Sequence, residues 1–148
     1  LPGQAITREW LMDMTATTYS YATVTEMSGE TIKTVLEDVC DNLFNPDPYY
    51  QQGGDMVRVG GLQFSCDPTA RMGSRIGDMR LKGQLIDAGK KYKVAGWAPV
   101  AEEARNQGNK QVWEVVEQWL KAQGGKVKPR QLNAPKITGG LPNAGYAA

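Results

Sequence analysis

The chain has 148 residues, of which 41% are hydrophobic and 22% charged, enough for one core of ordinary size and too few for two such domains. A formal charge of +1 at pH 7, with no aromatic-interleaved basic stripe, excludes an electrostatic nucleic-acid binder, and no apolar run approaches the length of a membrane-spanning helix. Histidine is absent, so any mechanism that needs an imidazole as base or metal ligand cannot be completed by these residues.

Thr7 is placed to cap a helix over about residues 7 to 14, with Glu9 in its first turn and Trp10, Leu11 and Met14 as its apolar residues. The alternation of Ala22 to Met27 predicts a half-buried strand. Ser28, Gly29 and Glu30 then supply a cap and an acidic first turn. They open a helix whose apolar residues Ile32, Val35, Leu36, Val39 and Leu43 recur at helical spacing.

The stretch from Asn45 to Gly61 departs from both patterns. Pro46 and Pro48 stiffen the backbone ahead of Tyr49 and Tyr50, and the pairs Gly53-Gly54 and Gly60-Gly61 permit positive φ or close approach of another chain. It reads as a built surface able to hold something. Met56 to Asp67 predicts a strand with a bulge or close backbone contact at Gly60-Gly61. Pro68 to Ser74 reads as a turn, Arg75 to Leu81 as the second arm of a hairpin, and Lys91 to Trp97 as a further strand.

A helix over about residues 110 to 122 carries Val112, Val115, Val116, Trp119 and Leu120 on one face, stops at Gly124-Gly125, and is expected to pack on the sheet. The organisation expected is a domain over residues 1–125 followed by an extended tail over 126–148, whose Lys126, Lys128 and Arg130 are solvated. The fold class is α+β: a single domain with a mixed or antiparallel sheet packed by helices. The start Leu-Pro-Gly-Gln, without an initiator methionine, suggests a piece of something longer or a processed form.

Cys40 and Cys66 are too few and too far apart in sequence for a metal knuckle or a disulfide framework. Cys66 has no histidine partner and falls in an apolar strand, which reads as an inert core thiol rather than a nucleophile.

Three segments together resemble the carboxy-terminal domain of the 5′-nucleotidase family: Ala5 to Leu11, Val24 to Glu37 with its helix beginning at a glycine, and Met56 to Phe64. The likeness continues through Ser65-Cys66-Asp67-Pro68, Gly73-Ser74-Arg75-Ile76 and Tyr92 to Ala95. Within that family, Asp41 to Gly61 and Lys93 to Glu102 resemble its SoxB-type branch, the thiosulfohydrolases of sulfur oxidation. The resemblance implies a periplasmic parent enzyme with two manganese ions. Its expected reaction removes a sulfonate, as sulfate, from a cysteine on the carrier SoxYZ. Nucleotidases of the family clamp the base between two aromatic rings, and at the second place this chain has Arg105 to Gln111, without a ring. Base stacking contributes on the order of 1–3 kcal/mol per base, so half a clamp counts against a nucleotide.

The residues expected to meet substrate are Tyr49, Tyr50, Gln51, Gln52, Gly53, Gly54, Asp55, Arg58, Gly60 and Gly61, with Tyr19 where the family places a further contact. Glycines offer smooth backbone to a glycine-rich carrier arm, tyrosines offer walls, and the Arg58 fork suits an oxyanion. The plainer alternative is that the glycines only shape turns, the tyrosines pack on the long helix, and Arg58 pairs with Asp55. Tyr19 and Tyr21 read equally as core, Trp97 as packing on the last helix, and Glu102 and Glu103 as residues at a helix start. No catalytic residue and no metal ligand is assigned, because a two-metal site about 3.5–4 Å across needs converging carboxylates and imidazoles. The metal site is therefore expected in an upstream metallophosphatase-like domain, with this fragment inactive alone. A 5′-nucleotidase-type phosphohydrolase and a non-catalytic peptide-binding module remain alternatives.

Overall fold

A computed structural model of the chain describes residues 3–15, 20–54, 56–96, 108–128 and 133–139. The first helix, α1 (Arg8–Thr15), starts where Thr7 Oγ1 accepts the Trp10 N–H at 3.2 Å. Leu11 is its buried residue, while Trp10 and Met14 stay exposed. Strand β1 (Thr23–Ser28) leads into α2 (Gly29–Phe44), capped by Ser28 Oγ accepting the Thr31 N–H at 3.0 Å. A single 3-10 turn (Pro48–Tyr50) follows, then β2 (Leu62–Cys66), β3 (Ile76–Leu81), β4 (Gln84–Leu85), β5 (Lys91–Gly96), α3 (Val112–Ala122) and β6 (Lys136–Ile137).

The strands form two sheets: β1 with β5, and a four-stranded sheet in the order β4-β3-β2-β6. In the second, β3 runs antiparallel to β2 and β4, and β6 runs parallel to β2, so the class is α+β with a mixed sheet, as expected. Lys82 and Gly83, both at positive φ, close the tight turn between β3 and β4. The chain groups into two compact units, residues 1–26 with 93–130, and residues 27–92 with 131–148.

In the first unit α3 packs on α1. Arg8 donates to the Glu117 carboxylate at 3.0 Å and lies over the Trp113 ring, while Lys121 reaches Glu117 at 2.7 Å. These two cations hold the Glu117 carboxyl below its usual range, Lys121 first. The apolar face of α3 was expected on the sheet; the contact seen in this unit is with α1. Gly124 and Gly125, both at positive φ, end α3 as expected, with Gly125 N–H donating to Leu120 O at 3.2 Å.

In the second unit the core is Leu36 and Cys40 of α2 against Phe64, Cys66 and Ile76 of the sheet, with Ile32, Phe44, Met56, Val59, Leu62 and Met79 packed around them. The most buried line of α2 is thus Ile32, Leu36, Cys40 and Phe44, four residues apart, rather than the Val35, Val39 and Leu43 line. The irregularity expected at Gly60-Gly61 falls further on, between Gln63 and Ser65, where β2 slips by a residue against β3.

The glycine that opens α2 has a steric reason. Gly29 N–H donates to Lys90 O at 3.1 Å and Glu30 N–H to Ala88 O at 3.0 Å, so the 88–90 turn lies directly on the helix start. A Cβ on Gly29 would run into Asp87 O and the Ile86 side chain. Gly29→Ala, which in an open helix improves propensity, is therefore expected to destabilise by about 2 kcal/mol through overpacking. Urea unfolding checks this, and a variant as stable as the parent chain would contradict the contact.

Candidate functional site

The loop from Asn45 to Gly61 hangs from the carboxy-terminal end of α2, where a polar network sets its geometry. Arg75, buried at 3% exposure just before β3, donates from Nη1 to Asp41 Oδ1 at 2.5 Å and from Nη2 to Phe44 O at 3.2 Å. The guanidinium thus sits on the last carbonyls of α2, where a cation is favoured. Asp41 Oδ2 accepts from Asn45 Nδ2 at 2.7 Å, and these two partners, Arg75 first, hold the Asp41 carboxyl below its ordinary value.

One helical turn earlier, the buried Glu37 carboxylate accepts from the backbone N–H groups of Gly73, Arg75 and Ile76 at 2.9, 3.3 and 2.7 Å. A buried carboxylate needs such a set of donors, and these three fix the turn that delivers Arg75.

From Asn45 the order passes outward. Asn45 Oδ1 accepts the Asp47 N–H at 3.0 Å, and its carbonyl accepts from Gln51 Nε2 at 2.7 Å. Asp47 Oδ1 caps the 3-10 turn by accepting the Tyr49 N–H at 3.0 Å, with Pro48 in the first position. The result presents Tyr49 and Tyr50 to solvent, at 96% and 65% exposure. Gly53 N–H donates to Asn42 O at 3.2 Å and ties the loop back to the helix.

Of the residues expected to meet substrate, Tyr49, Tyr50, Gln51, Gln52, Gly53, Gly54, Arg58, Gly60 and Gly61 are all exposed, and Tyr19 and Asp55 lie outside the described residues. The tyrosines do not pack on α2, which removes the plainer alternative for them. Gly53, Gly54 and Gly61 take positive φ; Gly60 does not, and a Cβ there would meet open space. Arg58 makes no ion pair with any described residue, and the Asp55 alternative for it lies outside them. Val59, beside it, turns inward to the core and pairs with Asn133. Tyr21 is half exposed; Trp97, Glu102, Glu103 and Arg130 also lie outside the described residues.

Asn45 and Asp47 went unassigned in the sequence, although an Asn-Pro-Asp-Pro run is a recognisable signal for side chains that bond their own backbone two residues on. Asp47→Ala is expected to remove about 1 kcal/mol of local order at the 3-10 turn and little from global stability. Amide exchange at Tyr49 and Tyr50 reads this directly; unchanged protection there would contradict the capping role.

The geometry amounts to an exposed aromatic turn, held by the side chains of Asn45 and Asp47 and followed by Gly53 and Gly54 at positive φ. Among the described residues, no three His, Cys, Asp or Glu converge to hold a metal ion, and no helix is long and apolar enough to cross a membrane.

Comparison with known proteins bears on what the loop serves. The family described as 5′-nucleotidase, C-terminal domain, matches residues 1–108. Among solved structures, the sulfate thiohydrolase SoxB of Thermus thermophilus, in complex with glycerol, is 36% identical over 95% of this chain, with a TM-score of 0.79. A candidate 5′-nucleotidase from Staphylococcus aureus, in complex with α-ketoglutarate, shares the fold at 14% identity over 89% of this chain, with a TM-score of 0.57. This chain spans 27% of the SoxB structure and 30% of the Staphylococcus one. No curated protein matches.

Proposed function

Since the chain belongs to the 5′-nucleotidase carboxy-terminal domain family, we propose that it is the substrate-recognition part of a SoxB-type thiosulfohydrolase. In this reading the parent, in the periplasm, hydrolyses a cysteine S-sulfonate carried by SoxYZ. One water is consumed: its oxygen joins the sulfonate sulfur, the sulfur–sulfur bond breaks, and the cysteine leaves as a thiol while sulfate is released. The observation that carries the reading is the contrast between 36% identity to a SoxB and 14% to a candidate nucleotidase over nearly the same length.

The loop fits the part assigned to it. Tyr49 and Tyr50 wall a glycine-rich carrier arm, the glycines from Gly53 to Gly61 leave room for its backbone, and Arg58 faces the sulfonate with paired donors. Gln51 and Gln52 supply amide groups that bond to a main chain.

Two manganese ions, expected of such a parent, do not fit the donors of this chain, which lacks histidine and brings no ligand cluster together among its described residues. They are assigned to a metallophosphatase-like domain of the parent.

The test is a competition of substrates on the full parent protein loaded with manganese. A Gly-Gly-Cys-Gly-Gly peptide carrying an S-sulfonate is expected to release sulfate, with little phosphate from AMP. Faster phosphate release from AMP would overturn the reading in favour of a nucleotidase, and no turnover of either would favour a peptide-binding module. This chain alone is expected to be inactive.

A further inference from the structure

We infer that Cys40 and Cys66 are a disulfide-forming pair whose closure encircles the exposed loop. The chain has two cysteines, one on α2 and one at the end of β2, and their sulfurs meet at 3.3 Å. Both are buried, at 0% and 2% exposure, among Leu36, Phe64 and Ile76. A disulfide is about 2.0 Å long, so the two sulfurs stand about 1.3 Å beyond bonding distance. Two thiols placed independently in a chain of this length have little reason to become each other's neighbours.

The covalent ring so formed runs from residue 40 to residue 66 and contains the whole Asn45 to Gly61 loop. Closing it ties both roots of that loop together, whatever the loop binds, so the inference does not depend on the proposed function. The reaction needs an oxidant of the disulfide class, such as oxidised glutathione or a thiol–disulfide oxidoreductase. One cysteine thiolate attacks the oxidant's disulfide to give a mixed disulfide, and the second cysteine displaces it. The protein loses two protons and two electrons, and the oxidant leaves as two thiols.

Timing follows from chemistry at the buried pair. Burial pushes the Cys40 thiol up to about 12, with the neighbouring Cys66 adding to the effect, and burial also raises Cys66. In the folded dithiol both sulfurs are also closed off from an oxidant, at 0% and 2% exposure, so the bond is made while the chain folds.

The experiment refolds the reduced, denatured full chain in a buffer of reduced and oxidised glutathione, then alkylates it under denaturing conditions and measures its mass. The expected result is a monomer with neither cysteine alkylated, a peptide linking positions 40 and 66, and a melting temperature roughly 10 °C above that of the reduced chain. Two alkylated cysteines, glutathione adducts on both, or disulfide-linked dimers would overturn the inference. In Cys40→Ser the oxidant is expected to leave the melting temperature unchanged; an equal rise there would also overturn it. Should that variant not fold, the thiol count of the unaltered chain decides alone.

Discussion

Arg75→Met is expected to lower the free energy of unfolding by about 2 kcal/mol, the cost of removing a buried guanidinium from a partly exposed carboxylate and a helix-end carbonyl. The methionine fills much of the guanidinium's space, so the loss comes from Asp41 and the Phe44 carbonyl, whose charged donor disappears. The Arg75 Nε has no partner among the described residues, so the pair is not optimised for net stability; breaking it costs more than making it gains. A loss of this size is a large share of the whole for a domain, and urea unfolding measures it. A change below about 1 kcal/mol would show that the network is solvated and weak.

The same variant carries a pH signature. Arg75 holds the Asp41 carboxyl below its ordinary value of 3.8. A lowered folded value means the stabilisation is complete above that figure and is lost as pH falls through the folded value. The gap between the unaltered chain and Arg75→Met is therefore widest at neutral pH and narrows on acidification below 3.8. A gap that stayed constant into acid would assign the loss to packing alone.

Replacing Tyr49 and Tyr50 together by alanine is expected to separate binding from folding. Both side chains are largely exposed, so stability should stay within about 0.5 kcal/mol of the parent chain. If they wall the carrier arm, two aromatic anchors are lost, and kcat/KM of the manganese-loaded parent for the S-sulfonate peptide falls roughly 100-fold, through KM. Steady-state kinetics with a melting curve in parallel measure both. A fall of less than about threefold, with the melt unchanged, would move recognition elsewhere on the protein.

What was legible in the sequence follows the range of each interaction. Ser28 and the apolar spacing of α2 are local signals, and the helix begins where they place it. Gly29 was legible as a helix start, but its reason, the carbonyl of Asp87, comes from 58 residues away in the chain. Glu37 drew no assignment in the sequence; its burial is matched by three N–H donors from the 73–76 turn, which no periodicity reveals. Cys40 and Cys66 looked unrelated because nothing local connects a helix residue to a strand residue 26 positions on.

The candidate loop was legible as a stiff, glycine-paired aromatic surface because proline, glycine and tyrosine act locally. Whether its tyrosines faced inward or outward was not, since that depends on Asn45 and Asp47 closing the turn against α2. The contact of α3 with α1 was not legible for a related reason. An apolar face states that something covers it and not what, and here α1 does so with Arg8 bridging to Glu117.

Strand β6 has a consequence for the order in which the molecule is made. Ile137 lies beside Cys66, and Thr138 N–H donates to Cys66 O at 2.8 Å, so the last described stretch of the chain completes the sheet. On a ribosome, α2 and the β2–β3 hairpin are made before residues 136 and 137, which follow the end of β3 by 55 residues. One flank of β2 therefore stays open until β6 arrives, a template for pairing with another nascent chain in that interval.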